Sequence, residues 1–134
     1  MTERDRIRQE ESQGFDTAHW PTEIRYLSQE KTLRVTFDSG ETFDFPAEFL
    51  RVESPSAEVQ GHGPGQKQIV ARRRHVGIME IVPVGNYAVR IKFDDLHDSG
   101  IYSWQYLYRL GRDKDALWQA YLDNLAAKGL SRDP

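Results

Sequence analysis

Asp94-Asp95-Leu96-His97-Asp98 places three carboxylates and one imidazole within five positions. Carboxylates are hard oxygen ligands and an imidazole titrates near neutrality, so this mixture suits holding a divalent cation or moving a proton. A metal site needs convergent ligands, however, and an aspartate-rich loop between strands is also ordinary turn chemistry, which is the stronger reading. His62 lies in Gly61-His62-Gly63-Pro64-Gly65. Backbone amides there let an anion approach closely, although glycines serve equally to turn the chain. Lys67, Arg72, Arg73, Arg74 and His75 form a basic patch. Arginine grips carboxylate and phosphate bidentately, so the patch suits an acidic protein surface, RNA or DNA; a solvated loop balancing an acidic tail is the plainer alternative. Tyr102, Trp104, Tyr106 and Tyr108 invite a base-stacking reading. Tyr102 and Trp104 fall on one face of a strand pattern, which assigns both to the core.

No nucleophile motif accompanies these groups: there is no G-x-S-x-G, no H-E-x-x-H and no phosphate loop. The absence of cysteine excludes disulfides, thiolate metal sites, thiolate-held clusters and cysteine nucleophiles together. The chain therefore reads as a non-enzyme without a cofactor of its own.

The elements that must position these residues follow from alternation. Leu33, Val35 and Phe37 lie on one strand face, and Arg34 and Thr36 on the other. Asp38-Ser39-Gly40 supplies a hairpin turn into Glu41 to Phe45. Pro46, with no N–H, ends the ladder, and Ala47 to Val52 forms a short helical turn. The pattern then returns: Val89, Ile91 and Phe93 take the places of Leu33, Val35 and Phe37. After a loop lengthened by Asp95, Leu96 and His97, Ser99-Gly100 supplies the turn. Tyr102 and Trp104 then stand for Phe43 and Phe45, and Leu107-Tyr108-Arg109 for Phe49-Leu50-Arg51. Internal pseudo-symmetry and the common hairpin-then-helix pattern both explain this. Either predicts an α+β class: a β-rich two-part sheet domain built from two strand-turn-strand-short-helix units, with a C-terminal helix.

Between the units, Glu53 to Gly77 reads as a long irregular loop, uncommon unless functional or disordered. Ile78 to Pro83 resumes as a strand. At the end Asp113 is placed as N-cap, Leu117, Ala120, Tyr121 and Leu125 form an apolar stripe packed on the sheet, and Gly129 stops the helix.

With 134 residues, 38% hydrophobic and carrying three Trp, six Tyr and six Phe, the chain fits one modest core. Residues 1–20 read as a mobile tail, 21–111 as the domain, and 112–134 as the C-terminal helix with a short tail. Met1 to Gly14 has Ile7 as its one large aliphatic residue, too little apolar area to offset ordering. No apolar run approaches the roughly 18 residues of a membrane span and no signal-peptide core is evident, so the expectation is a soluble, cytoplasmic protein with no membrane role. A net charge of −3 gives no overall electrostatic case for nucleic acid.

Three ordered blocks carry a family resemblance. They are Ser54-Pro55-Ser56-Ala57-Glu58-Val59-Gln60-Gly61-His62-Gly63, the run Ile81-Val82-Pro83-Val84-Gly85-Asn86-Tyr87-Ala88-Val89-Arg90, and Phe93-Asp94-Asp95-Leu96-His97-Asp98-Ser99-Gly100-Ile101-Tyr102-Ser103-Trp104. Over about Ile24 to Gly111 the chain resembles a stand-alone bacterial member of the gamma-butyrobetaine hydroxylase-like N-terminal domain family. Such domains occur alone, fused to Mrp-type iron–sulfur carrier ATPases, and ahead of the catalytic domain of 2-oxoglutarate/iron oxygenases. In the oxygenases the domain binds a structural zinc through three cysteines and a histidine. The resemblance places those ligands at Ser54, Ser56, Val59 and His97, so zinc is not carried over. Hydroxylase activity is not inherited either, because no iron triad with a jelly roll accompanies the domain.

The expectation is a non-catalytic binding or accessory module with a protein partner, linked through the family to cofactor or iron–sulfur assembly. Its working surface is expected at the Glu53 to Gly77 and Asp94 to Asp98 loops, with Arg72, Arg73 and Arg74 attracting an acidic partner. The alternatives are a small metal- or ligand-binding protein using His97 with Asp94, Asp95 or Asp98 and His62, and an RNA-binding domain using Arg72 to Arg74.

Overall fold

The structure is a computed structural model and describes residues 19–61 and 65–134. His62 and nearly all of the expected tail therefore lie outside the described residues. Strands β1 (Pro21–Leu27), β2 (Thr32–Phe37) and β3 (Thr42–Pro46) form one antiparallel meander. Helices α1 (Ala47–Val52) and α2 (Ala57–Gln60) follow. A second antiparallel meander comprises β4 (Ile78–Val84), β5 (Ala88–Phe93) and β6 (Ile101–Ser103), and helices α3 (Trp104–Arg112) and α4 (Lys114–Ala127) complete the fold. This is the expected α+β architecture: the strand read at Ile78 to Pro83 is β4, and β1 takes the same place in front of the first hairpin.

The inner faces of both sheets meet in one core. Leu33, Val35, Phe37 and Phe45 from the first sheet and Val89, Ile91, Phe93 and Tyr102 from the second are buried in it, together with Phe49, Leu50, Leu107 and Leu110. The alternate residues face out: Arg34 grips Asp44 bidentately across β2 and β3 at 2.8 and 3.1 Å.

Register shows how far the two halves correspond. β1 is bulged between Pro21 and Glu23, opposite Phe37 and Thr36, and β4 between Ile78 and Glu80, opposite Phe93 and Lys92. The irregularity falls at matching positions, as a repeated unit requires. The second hairpin partner, however, sits two residues from where alternation put it. Leu33 pairs with Phe45 and Val89 with Tyr102, so Tyr102 takes the place of Phe45. Trp104 then corresponds to Ala47, each being the first residue of a helix. The stretch from Phe93 to Tyr102 is one residue longer than that from Phe37 to Phe45, rather than three. Ser103 causes the difference: its hydroxyl accepts the Tyr106 N–H at 3.1 Å and caps α3, which draws Trp104 into the helix. Trp104 is nonetheless buried, and its Nε1 donates to the Asn86 carbonyl at 2.8 Å.

Helix α4 is divided between two clusters: Leu117 and Trp118 pack against the main core, and the rest of the stripe turns to the long loop. Tyr121 and Leu125 bury against Val52 at the end of α1 and against Ile69, Val70 and Ala71 of the long loop. The Tyr121 hydroxyl donates to the Val70 carbonyl at 2.6 Å, while Ala120 is exposed. Asp113 occupies the N-cap position without a side-chain cap bond, its carboxylate facing Arg112 instead. Gly129, at φ 65°, stops the helix, and Leu130 N–H returns to the Leu125 carbonyl at 2.9 Å.

The segment after α4 pairs with the long loop. Arg72 N–H donates to the Ser131 carbonyl at 2.9 Å and Arg74 N–H to that of Arg132 at 3.0 Å. Arg132 itself forks onto Glu48 at 2.7 and 2.8 Å and lies over the Trp118 ring. Among the described residues no helix is long and apolar enough to cross a membrane.

Candidate functional site

The loop after β5 is built by short-range bonds. Phe93 N–H donates to the His97 carbonyl at 2.9 Å, and Leu96 N–H to the Phe93 carbonyl at 3.0 Å. Asp95 Oδ1 accepts the His97 N–H at 3.1 Å. This closure holds Leu96 at φ 73°, a left-handed backbone that suits glycine or asparagine and is costly for leucine. Leu96 is 69% exposed.

Beneath the loop, Asp95 Oδ2 accepts Arg51 Nε at 2.8 Å and Arg73 Nε at 2.7 Å, tying α1, the long loop and the second sheet together. Burial alone would push the Asp95 carboxyl up. The His97 N–H and the Arg51 and Arg73 guanidiniums outweigh it and hold the carboxyl below its usual range. Arg51 is buried, and its Nη1 has no hydrogen-bond partner among the described residues.

His97 is buried beside this cluster. Its Nε2 faces Ser54 Oγ at 3.0 Å and Ser56 Oγ at 3.3 Å, and its Nδ1 faces Glu58 Oε2 at 3.1 Å. Burial first, and then Arg51, lowers the His97 pKa, so the ring is neutral at pH 7 and its contact with Glu58 is a hydrogen bond rather than an ion pair. A carboxylate only accepts, which assigns the proton to Nδ1 and leaves Nε2 to accept from Ser56, whose oxygen in turn accepts the Ser54 O–H at 3.2 Å. The order Ser54, His97, Glu58 is that of an acyl-transfer relay, but Ser54 is 0% exposed and no carbonyl can reach its Oγ.

The other carboxylates of the loop turn elsewhere. Asp94 Oδ2 accepts the Gly77 N–H at 3.0 Å, and Asp98 faces Arg90 at 3.7 Å. Asp94, Asp95 and Asp98 thus turn to different partners, and their carboxylates do not converge on the His97 ring. Among the described residues no group of three or more His, Asp or Glu side chains is placed to hold a metal. The basic patch is divided in the same way. Arg73 is held by Asp95, Arg74 by Asp133, and Lys67 by Glu53 at 2.7 Å. Arg72, exposed and at φ 63°, has no side-chain partner among the described residues. Two of the tyrosines are committed inward, Tyr102 OH donating to the Leu50 carbonyl at 2.5 Å and Tyr106 OH to that of Glu53 at 2.5 Å, while the Tyr108 OH donates to the exposed Glu41 carboxylate at 2.7 Å.

Sequence reasoning passed over Arg51, Glu58 and the exposure of Leu96. A lone arginine in the otherwise apolar run Phe49-Leu50-Arg51-Val52 was the available signal for the first. Nothing in the spacing announces the other two.

Two three-stranded meanders, each followed by a helix and joined across a partly buried Ser-His-Arg-Asp cluster, define a small α+β domain whose polar centre sits between loops. The chain belongs to the gamma-butyrobetaine hydroxylase-like, N-terminal domain family, which matches it over residues 24–108. It is similar to two proteins solved by NMR in solution. One is 46% identical, with 87% of this chain and 91% of that one covered at TM-score 0.76; the other is 43% identical, with 89% of each covered at TM-score 0.76. A crystal structure of a DUF971 family protein of unknown function from Acidithiobacillus ferrooxidans is 42% identical, covering 68% of this chain and 91% of that one at TM-score 0.58. No curated protein matches the chain.

Of the zinc positions that the resemblance implies, three are brought together here. Ser54 and Ser56 both reach His97 Nε2, and Val59 is buried on α2 beside Glu58. The donor set does not fit zinc. Two neutral hydroxyls and an alkyl group stand where the resemblance implies thiolates, and none of the three supplies the anionic charge that a buried dication needs.

Proposed function

We propose that this chain is a non-catalytic interaction module. Its contact surface is the loop Asp94 to Asp98 with the adjoining Arg72 to His75 segment. The observation that carries this reading is Leu96: a large apolar side chain, 69% exposed, held in a left-handed backbone by a partly buried ionic scaffold. Backbone strain persists only where the surroundings over-determine it, and it clusters at ligand clamps and switch regions. Arg72, also left-handed and unpaired among the described residues, supplies the cation that draws an acidic partner. The family's link with iron–sulfur carriers makes assembly machinery the first class of partner to try.

Capture experiments with the wild-type protein recover a discrete protein partner in this reading, and both Leu96→Asp and Arg72→Glu lose it while keeping wild-type stability. Equal recovery with both variants refutes the surface. Leu96→Gly separates the roles of the residue. Relief of the left-handed backbone raises stability by about 1 kcal/mol, while the missing side chain weakens capture.

A further inference from the structure

Glu48 lies in the first turn of α1 with its side chain only 6% exposed, so its carboxylate needs a cation. That cation comes from the segment after α4. Arg132 lays its guanidinium over the Trp118 ring, 5.1 Å from the centroid, and sets two hydrogen bonds on Glu48. Among the described residues no other cation pairs with Glu48. Ser131 and Arg132 offer their carbonyls to the Arg72 and Arg74 N–H groups, and the Asp133 carboxylate accepts Arg74 Nε. Asp133 N–H closes onto Ser131 Oγ at 3.0 Å, a tight turn with Arg132 at its centre. Little else of this segment is covered: Leu130, Ser131, Asp133 and Pro134 are exposed, and Arg132 alone is half-buried. The wall beneath is fastened by other bonds, from the Tyr121 hydroxyl to the Val70 carbonyl and from the Val76 N–H to the Arg73 carbonyl at 3.1 Å.

These are the contacts of a peptide on a receptor more than those of a packed segment. Two carbonyls are read by backbone amides, which any sequence satisfies, and selectivity rests on one arginine fork and one acidic side chain. Lysine cannot fork, and an apolar side chain would strand the buried Glu48 carboxylate. We propose that the recess formed by Glu48, Trp118 and the backbone of residues 72–74 is a binding site for a short segment of a partner protein that carries arginine followed by aspartate or glutamate. Ser131-Arg132-Asp133 fills this site in cis as a competitor. Linked to α4 through Gly129 and Leu130, it competes at an effective concentration on the order of millimolar, so a partner displaces it through added contacts elsewhere on the surface. The recess is separate from the Leu96 surface and does not use the Arg72 side chain.

The test titrates the full chain, labelled with nitrogen-15, to millimolar concentrations of the synthetic peptide Gly-Leu-Ser-Arg-Asp-Pro. NMR spectra read the Trp118 indole N–H and the amides of residues 72 and 74. Arg132→Ala/Asp133→Ala, whose own segment has lost its hold, is expected to bind the peptide saturably and at least tenfold more tightly than wild type. Lysine in place of the peptide's arginine is expected to weaken binding at least tenfold, and so is Glu48→Gln added to the double variant. Should the double variant unfold too easily for titration, Arg132→Lys, which leaves Glu48 a cation, carries the same comparison. Leu96→Asp added to the release variant is expected to leave peptide affinity unchanged, which keeps this site distinguishable from the Leu96 surface. A folded release variant whose resonances do not move at millimolar peptide overturns the proposal. So does an affinity indifferent to Glu48→Gln or to the lysine peptide, or one that Leu96→Asp removes.

Discussion

Replacing Asp95 by asparagine removes one charge and leaves the shape intact, which isolates what the carboxylate does for Arg51. The Arg51 side chain is 9% exposed and the Asp95 side chain 20%. Stripping the partner from a buried ion pair costs about 3–5 kcal/mol, because the remaining charge has neither water nor counter-ion. Partial access of water at Asp95 argues for the lower end of that range. The Arg73 leg, one-third exposed, adds no more than about 1 kcal/mol. Asparagine Oδ1 still accepts the His97 N–H, so that bond does not enter. The expected loss is about 3 kcal/mol in urea unfolding at pH 7, or on the order of 10 °C in Tm. Arg51→Met should recover much of it, since a double variant has no buried charge to strand. The carboxyl is held below its unfolded value, so its contribution is complete above about pH 4 and is lost as pH falls through the folded value. Asp95→Asn should lack that acid limb. A loss under about 1 kcal/mol, or an Arg51→Met effect equal in both backgrounds, would refute the reasoning.

Two further outcomes follow from the same geometry. The His97 pKa is lowered by burial and by Arg51, against the opposing pull of Glu58 and Asp95, so the unfolded chain takes up its proton first. Stability is therefore complete above about pH 6.5 and falls as pH drops from there through the folded value; His97→Gln should flatten this slope in denaturation curves between pH 7.5 and 5, and an unchanged slope would remove His97 as its source. Gly111→Ala should destabilise although alanine is favoured within helices by about 1 kcal/mol, because overpacking costs about 1–3 kcal/mol. The new methyl would lie 2.4 Å from Phe43 Cγ and Cδ2, and a variant as stable as wild type would show that the Phe43 ring yields freely.

Alternation made β2 and β5 legible because each buries three alternate residues and leaves those between them half-buried. Pro46 and the apolar run after it located α1 for the same reason. The register of the second unit was not legible from side chains. Tyr102 and Trp104 are strand-like aromatics, and it is the Ser103 hydroxyl, at the end of the ladder and accepting the Tyr106 N–H, that starts a helix at Trp104. The covering of α4 was hidden because Ile69-Val70-Ala71 is a short apolar run inside an otherwise polar loop. At the site, the acidic run looked convergent in sequence, yet a tight turn aims successive carboxylates in different directions. The meeting of Ser54 and Ser56 with His97 spans more than forty residues, and only the family resemblance drew these positions together.

Backbone pairing between Arg72, Arg74 and the Ser131-Arg132 segment gives the basic loop a conditional order. The amides of residues 72 and 74 are protected by a terminal segment rather than by either sheet, so they form one opening unit with it, released well below the free energy of global unfolding. Hydrogen exchange at these amides then reports the docking of the tail. Anything that displaces Ser131 to Asp133 therefore also frees the backbone of Arg72 and Arg74, so the segment after α4 acts as a tether on the basic loop.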